Sequence, residues 1–335
     1  MNTPLTPVSR RIRSALFTLF ASALALLAAP AVLAQAWPSK AVTVIVPWPP
    51  GGPSDIAARP LSARLQEVLG QPFVIENRGG AGGNIGSAQV AKAAPDGYTL
   101  MITSSAPIVI NPSLYKKMPF DPAKDLQPIT NVLRVPLVLA VHPSLPVKNV
   151  AELLAWIKTQ PDGKAVIASS GNGTPQHLTA EIFKDAANVS LIHVPYQGSA
   201  PALTDLLGGH VPMMFDSTVA IVPHIKAGRL RAIALTGGQR SSQLPDVPTF
   251  GEQGLPKVET YAWYGLFGPA NMPKDVLMRI NAEALKAMRT PEFQKVLTDT
   301  GAVFVGDTPE NFTTFTRAEA IKWGKAVKDS GASID

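Results

Sequence analysis

The stretch Val44-Ile45-Val46-Pro47-Trp48-Pro49-Pro50-Gly51-Gly52-Pro53-Ser54-Asp55 decides the fold. It reads as an apolar strand, a stiff Pro/Gly loop and the start of a helix. Val42, Val44, Ile45 and Val46 supply the strand, and the run from Asp55 onward brings Ile56, Leu61, Leu65 and Leu69 near one helical face. Ser54 or Asp55 is expected to cap that helix, and Pro60 to lie early enough for the first turn to tolerate it. A helix start leaves N–H groups unpaired and carries roughly half a positive charge, so it attracts anions. The glycines let a ligand touch the backbone and the prolines hold the loop in shape. Taken alone, the segment also fits a stiff strand-to-helix turn with no ligand.

The pattern recurs along the chain. A strand at 73–76 leads through Asn77-Arg78-Gly79-Gly80-Ala81-Gly82-Gly83 to a helix that Asn84 is expected to cap. A strand at 99–103 ends at Ser104-Ser105, and another is expected at 137–141. Asn149 caps a helix over 150–158. A strand at 165–168 runs into Ser169-Ser170-Gly171-Asn172-Gly173-Thr174 and a helix over 175–186, with Pro175 in its first turn. A strand at 191–194 precedes Pro195-Tyr196-Gln197-Gly198-Ser199, where Ser199 is expected to cap a helix through 207. Strands at 211–215, 231–235 and 261–266 follow, then helices over 274–288, 291–299 and 309–328 with a short strand at 302–305. Such alternation argues for α/β architecture with mainly parallel sheets and helices on both faces. Ligands in these sheets sit beyond the carboxyl ends of the strands.

Two lobes are expected. Residues 137–260 carry their own strands and helices, whereas the last helices lack a sheet unless they return to the first. The first lobe is therefore discontinuous, 37–136 plus 261–335, and the chain crosses between lobes near Pro136 and Tyr261. Residues 1–36 are set apart as a signal peptide: Arg10, Arg11 and Arg13, an apolar run over 15–27, and small residues that fit cleavage after Ala34 or Ala36. Either cut leaves about 300 residues, enough for one large or two ordinary domains.

Composition excludes several function classes. The formal charge is +6, from 30 basic and 24 acidic residues. The three leader arginines account for half of it, leaving 27 basic against 24 acidic and a net charge of +3. That is too mild for nucleic-acid binding, and no basic-aromatic cluster supports it. The chain has no cysteine, which excludes thiol chemistry and cysteine-metal sites. The histidines, His142, His177, His193, His210 and His224, show no metal-ligand spacing, and no metal or other cofactor is expected. There is no G-x-S-x-G elbow, and Gly79 to Gly86 do not match a dinucleotide loop. An enzyme is not expected; a periplasmic hydrolase is the remote alternative.

The motifs Pro47-Trp48-Pro49-Pro50-Gly51-Gly52-Pro53-Ser54-Asp55, Glu76-Asn77-Arg78-Gly79-Gly80-Ala81-Gly82-Gly83-Asn84-Ile85-Gly86 and Ala94-Pro95-Asp96-Gly97-Tyr98-Thr99-Leu100 make the chain resemble the Bug family of extracytoplasmic solute-binding proteins. So do His193-Val194-Pro195-Tyr196-Gln197-Gly198-Ser199-Ala200-Pro201-Ala202 and Pro248-Thr249-Phe250-Gly251-Glu252. These are the periplasmic receptors of tripartite tricarboxylate transporters. The resemblance runs in order through the whole mature chain. It implies a two-lobed periplasmic-binding-protein (Venus flytrap) fold, a monomer, and a small carboxylate held in the cleft: a di- or tricarboxylate, an acidic amino acid or an aromatic acid. It also implies recognition by backbone amides, small hydroxyls and water more than by an arginine clamp. The implied partners are the large and small membrane subunits of the transporter. A sensor kinase that reads the loaded receptor is the alternative.

The expected ligand-binding residues fall on loops from both lobes. From lobe one they are Pro50, Gly51, Gly52 and Ser54, then Gly83 and Asn84, then the hydroxyls of Ser104 and Ser105. From lobe two they are Ser169, Ser170, Gly171 and Thr174, which form an amide nest, with Gly198 and Ser199 opening the next helix. Trp48 is read as a wall of the cleft or as core. Asp216 either caps the next helix or faces a ligand ammonium or hydroxyl. Asp55 is read as a cap, because a bare carboxylate repels an anion. Tyr261, Trp263 and Tyr264 are read as core of the crossing strand, and His177 as a packing or capping residue.

Overall fold

The computed structural model describes residues 37–161 and 165–334. The expected signal peptide lies outside them. The chain divides into two compact units, Met1–Ser39 and Lys40–Asp335, and the second carries all the described strands and helices.

Strand β1 (Val42–Val46) is buried at Val42, Val44, Ile45 and Val46, as suits a strand covered on both faces. It pairs in parallel with β2 (Phe73–Asn77) and β3 (Thr99–Ser104). Helix α1 (Pro53–Leu69) links β1 to β2 and buries Ala57, Ala58, Leu61 and Leu65. Its N-cap is Gly52, and no side chain caps it. Ser54 and Asp55 thus lie within the first turn rather than at the cap, because the chain turns helical at Pro53. Pro60 falls inside the helix, not in its first turn. Helix α2 (Asn84–Ala91) has Gly83 at its N-cap, so Asn84 is its first residue and not its cap.

Strand β4 (Leu126–Val141) is a single 16-residue strand where the sequence suggested only its last five residues. Its polar positions and internal prolines break the apolar pattern, and pairing on both edges overrides them. From Leu126 to Pro136 it runs antiparallel to β9 (Tyr261–Pro269); from Leu137 to Val141 it runs antiparallel to β7 (Met213–Ser217) and β8 (Arg231–Leu235). Strand β5 (Ala165–Ser169) pairs in parallel with β6 (Leu191–Pro195) and with β7. The strand order is β2-β1-β3-β9-β4-β7-β5-β6, with β8 and the short β10 (Val303–Phe304) also on β4. Each half therefore has a parallel set, β2-β1-β3 or β6-β5-β7, and the antiparallel pairs come from β4, β9, β8 and β10. This is a two-lobed periplasmic-binding-protein fold with mixed α/β sheets.

The helices α3 (Val150–Thr159), α4 (Pro175–Ala187), α5 (Ser199–Leu207) and α6 (Thr218–Lys226) follow one another around the β4-β7-β5-β6 half. Asn149 caps α3 by accepting the Glu152 N–H at 2.8 Å. Helices α7 (Lys274–Ala287), α8 (Pro291–Thr300) and α9 (Pro309–Ser330) return to the other half. One core joins Ile45, Met101, Trp263, Phe267, Phe312 and Trp323. A second joins Val138, Ala168, Leu206, Met214, Ile221 and Leu235. Leu178 of α4 is buried in the first core although its helix follows β5. Among the described residues, no helix is long and apolar enough to cross a membrane.

Candidate functional site

The expected ligand residues occupy loops at the carboxyl ends of β1, β2, β3, β5, β6 and β7. Trp48, Gly52, Ser104, Ser170, Gly171, Thr174, Gly198 and Ser199 are half-buried, Pro50 and Gly51 are exposed, and Ser54, Gly83, Asn84, Ser105, Ser169 and Asp216 are buried.

In the first loop, Asp55 is the organiser. Its Oδ2 accepts the Gly51 N–H at 3.0 Å and Arg59 Nε at 2.7 Å; its Oδ1 accepts Arg59 Nη2 at 2.9 Å and Asn77 Nδ2 at 3.1 Å. Asn77 Nδ2 also donates to the Trp48 carbonyl at 3.0 Å. One carboxylate thereby ties the β1–α1 loop to the end of β2. Burial raises the Asp55 pKa, but the Arg59, Gly51 and Asn77 hydrogen bonds outweigh it and hold the pKa below the usual carboxylate value. The negative charge is paired with Arg59. Trp48 Nε1 donates to Thr103 Oγ1 at 3.4 Å, and a Cβ added at Gly83 would lie 3.1 Å from the Trp48 ring. The indole therefore packs over the second loop.

Asn84 Oδ1 accepts Asn111 Nδ2 at 2.7 Å, and the same Asn111 amide donates to the Gly82 carbonyl at 2.9 Å. The Asn84 side chain thus braces the glycine loop from behind. Ser105 donates its backbone N–H to the Trp263 carbonyl at 3.0 Å, while its buried hydroxyl has no hydrogen-bond partner. Ser104 lies opposite Tyr264 in the β3–β9 register. Arg78 pairs with Glu76 at 2.9 Å at the surface.

The β5–α4 loop is held at both ends by histidines. Ser169 Oγ lies 2.6 Å from His193 Nε2 and accepts the Gly171 N–H at 3.1 Å. The Gly173 N–H donates to His177 Nδ1 at 3.1 Å. The two imidazoles stack, with centroids 3.8 Å apart and planes 9° from parallel. Burial lowers both pKa values to about 4, and for His193 the neighbouring His177 adds to the effect. Both rings are neutral at pH 7, as the Gly173 bond requires. Thr174 caps α4, accepting the His177 N–H at 3.3 Å, and its Oγ1 donates to the Gly171 carbonyl at 2.8 Å. The Gly198 N–H donates to the Ser170 carbonyl at 3.1 Å, which joins the β6–α5 loop to this one.

Asp216, at the end of β7, gathers three donors. Oδ1 accepts Gln176 Nε2 at 2.9 Å and the Ser217 N–H at 2.7 Å, and Oδ2 accepts the Ser199 hydroxyl. Ser199 is thus the first residue of α5 and not its cap, which is Gly198. Asp216 does not cap α6, whose N-cap is Ser217; the one backbone N–H it accepts is that of Ser217 itself. Burial pushes its pKa up, and the Gln176 and Ser217 hydrogen bonds oppose the shift. Burial, with the Asp216 charge nearby, also pushes the Tyr264 hydroxyl up. Tyr264, read from sequence as core, is buried and lies opposite Ser104 on the neighbouring strand.

Gln176 and His193 were not among the expected site residues. Gln176 sits in the first turn of the helix that the Ser/Gly loop opens, a placement legible in sequence. The partner that gives it meaning, Asp216, is 40 positions away. The Ser169–His193 pair has the spacing of a nucleophile and a base, but the hydroxyl is fully buried and holds the loop. Among the described residues, no group of three His, Cys, Asp or Glu side chains could hold a metal ion.

The family model described as "Tripartite tricarboxylate transporter family receptor" matches residues 57–332. The fold is similar to that of Rhodopseudomonas palustris Rpa4515, solved with adipate (36% identity, 89% of this chain and 99% of that one, TM-score 0.76). It is similar to the periplasmic binding protein BugD (33% identity, 89% and 99%, TM-score 0.72). It is also similar to Rhodopseudomonas palustris MatC, solved with bound malate (32% identity, 87% and 100%, TM-score 0.72).

Proposed function

Because the chain belongs to the tripartite tricarboxylate transporter receptor family, a family of solute-binding receptors, we propose that it is a periplasmic receptor that binds a small carboxylate between two lobes and delivers it to a tripartite tricarboxylate-type membrane transporter. The lobes are residues 37–136 plus 261–335 and residues 137–260, and residues 1–36 form a signal peptide cleaved after Ala34 or Ala36.

The observation that carries the reading is the pair of organised loop sets. Asp55 takes the Gly51 N–H and so fixes the β1–α1 loop, with Gly52 at the helix start. Ser169 and His177 take the Gly171 and Gly173 N–H groups, and Asp216 takes the Ser199 hydroxyl, which together fix the β5–α4 and β6–α5 loops with Ser199 at the start of α5. Each set offers backbone N–H groups suited to an anion. Neither offers a free arginine, so a carboxylate is held by amides and hydroxyls. Lobe closure brings the sets together on the ligand, which shifts an open–closed equilibrium by its differential affinity for the two states.

Thermal unfolding of the mature chain with di- and tricarboxylates, acidic amino acids and aromatic acids tests this. A specific ligand at a hundred times its Kd stabilises the fold by about 2.7 kcal/mol. One or two sharp responders are expected. A folded, ligand-free chain that responds to none of these acids sinks the proposal.

A further inference from the structure

A hydroxyl has one hydrogen to donate and two lone pairs to accept with. At the β5–α4 and β6–α5 loops three of those hydrogens are already engaged. The Thr174 hydrogen goes to the Gly171 carbonyl. The Ser169 hydrogen goes to His193 or to the Gly171 carbonyl, while the Gly171 N–H arrives at the same oxygen. The Ser199 hydrogen goes to Asp216 Oδ2. The other Asp216 oxygen receives Gln176 and Ser217, so three donors converge on this buried group. What remains to greet an anion is the pair of N–H groups of Ser199 and Ala200 at the start of α5, where Pro201 has none, with the Ser170 hydroxyl and the second hydrogen of the Gln176 amide. What remains at Ser199 Oγ is lone pairs only.

We infer that the site prefers a carboxylate bearing a hydroxyl or an ammonium on the neighbouring carbon over the matching plain acid, because Asp216 turns the Ser199 hydroxyl into an acceptor. The inference rests on the carboxylate-receptor reading above. The backbone N–H and the Oγ belong to one residue at a helix start. A carboxylate on the N–H therefore sets a donor on its next carbon beside the Oγ. A plain methylene there leaves the oxygen unpaired as water is displaced, and unpaired polar groups discriminate strongly between close analogues. Asp216 is a positioning residue in this account. It acts through Ser199, and Gln176 and Ser217 hold it in place.

Calorimetric titration of the mature chain with matched acids tests the inference: succinate against malate and aspartate, and tricarballylate against citrate. At least one hydroxylated or aminated acid is expected to bind about tenfold more tightly than its plain partner, the equivalent of one good hydrogen bond. Asp216→Asn keeps acceptors for Gln176 and Ser217 and offers an N–H to Ser199 Oγ, which frees the serine hydrogen for the ligand. In that variant the preference should collapse, and the plain acid should bind more tightly than in the parent. Ser199→Ala removes the acceptor while leaving the other Asp216 donors. It serves as the second variant should Asp216→Asn fail to fold, and its preference should collapse as well. Plain acids binding as tightly as their substituted partners would overturn the inference and leave the receptor reading standing. A preference unchanged in both variants would place the discrimination elsewhere and overturn the role of Asp216. No binding by any of the five acids would overturn the inference, while the wider thermal panel, with its aromatic acids, decides the receptor reading separately.

Discussion

Gly173 and Leu114 meet without room for a side chain between them: a Cβ at Gly173 would lie 2.2 Å from Leu114 Cδ2. Leu114 belongs to the core built around Trp263 and Phe312. Gly173 belongs to the loop after β5, whose strand pairs only within the other half of the sheet. The contact therefore ties a proposed ligand loop of one half to the core of the other. It also stands at φ +71°, a conformation that residues with a Cβ rarely adopt.

Gly173→Ala should lower stability by about 2–4 kcal/mol, from overpacking against Leu114 and from the left-handed backbone. Adding Leu114→Ala opens space and should recover the overpacking part but not the backbone part. Urea midpoints for the two single variants and the double variant give the coupling. Strictly additive losses would show that the two residues do not press on each other.

Gly52→Asp should leave the fold intact and abolish ligand binding. Gly52 has φ −76° and sits at the N-cap of α1, a position that favours aspartate. A Cβ there finds nothing closer than the Pro49 carbonyl oxygen at 3.6 Å. The new carboxylate would occupy the N–H groups and place a negative charge where the anion should sit. Calorimetry on a variant with unchanged circular dichroism checks this, and retained affinity would remove the β1–α1 loop from the site.

Glu319 accepts two indoles on one oxygen: Trp263 Nε1 at 3.0 Å and Trp323 Nε1 at 2.7 Å. It fastens α9 to β9 beneath the crossing strands. Glu319→Leu leaves two buried N–H groups unpaired and should cost about 2–5 kcal/mol. Glu319→Gln keeps an acceptor for both and should lose much less. Equal losses in denaturant unfolding would show that the volume, and not the acceptor, matters.

The stacked histidines predict an acid-sensitive loop. Burial holds both pKa values at about 4, below the ordinary 6.5, so between these values the unfolded chain binds more protons than the folded one. Their contribution to stability is complete above pH 6.5, falls as the pH drops from 6.5 to 4, and levels off below 4. Glu181 and Lys184 on α4 and the neighbouring imidazole are the charged or titratable groups facing the pair. His177→Gln keeps an acceptor for the Gly173 N–H but does not titrate. Urea midpoints for parent and variant at pH 7, 5.5 and 4 should converge as the pH falls. A constant difference across that range would rule out titration of His177.

The α/β class and the loops at helix starts were legible because they rest on local chemistry. Runs of Val and Ile make strands, and Pro, Gly, Ser and Asn at their ends make turns that open helices. Even so, although Asn149 caps its helix as expected, three other caps fall one to three residues before the expected position. At Gly52, Gly83 and Gly198 the glycine itself is the N-cap, and the polar residue after it turns its side chain to a distant partner. Asp55 reaches Asn77, Asn84 reaches Asn111, and Ser199 reaches Asp216. Local rules place a polar side chain near the nearest free N–H. They have no knowledge of a partner many residues away.

The sequence by itself determined which segments become strands and helices, where the glycine-rich loops fall, and the family to which the chain belongs. These follow from periodicity, turn chemistry and ordered motifs, all short-range properties of the chain. Only the tertiary structure decided that β4 is one strand serving both sheet halves, that two histidines stack to hold one loop, and that Asp216 claims the hydrogen of Ser199. Each of those depends on groups that strand pairing and burial bring together from far apart. Once water is excluded, a polar hydrogen left without a partner is costly, and the fold alone sets what is within reach.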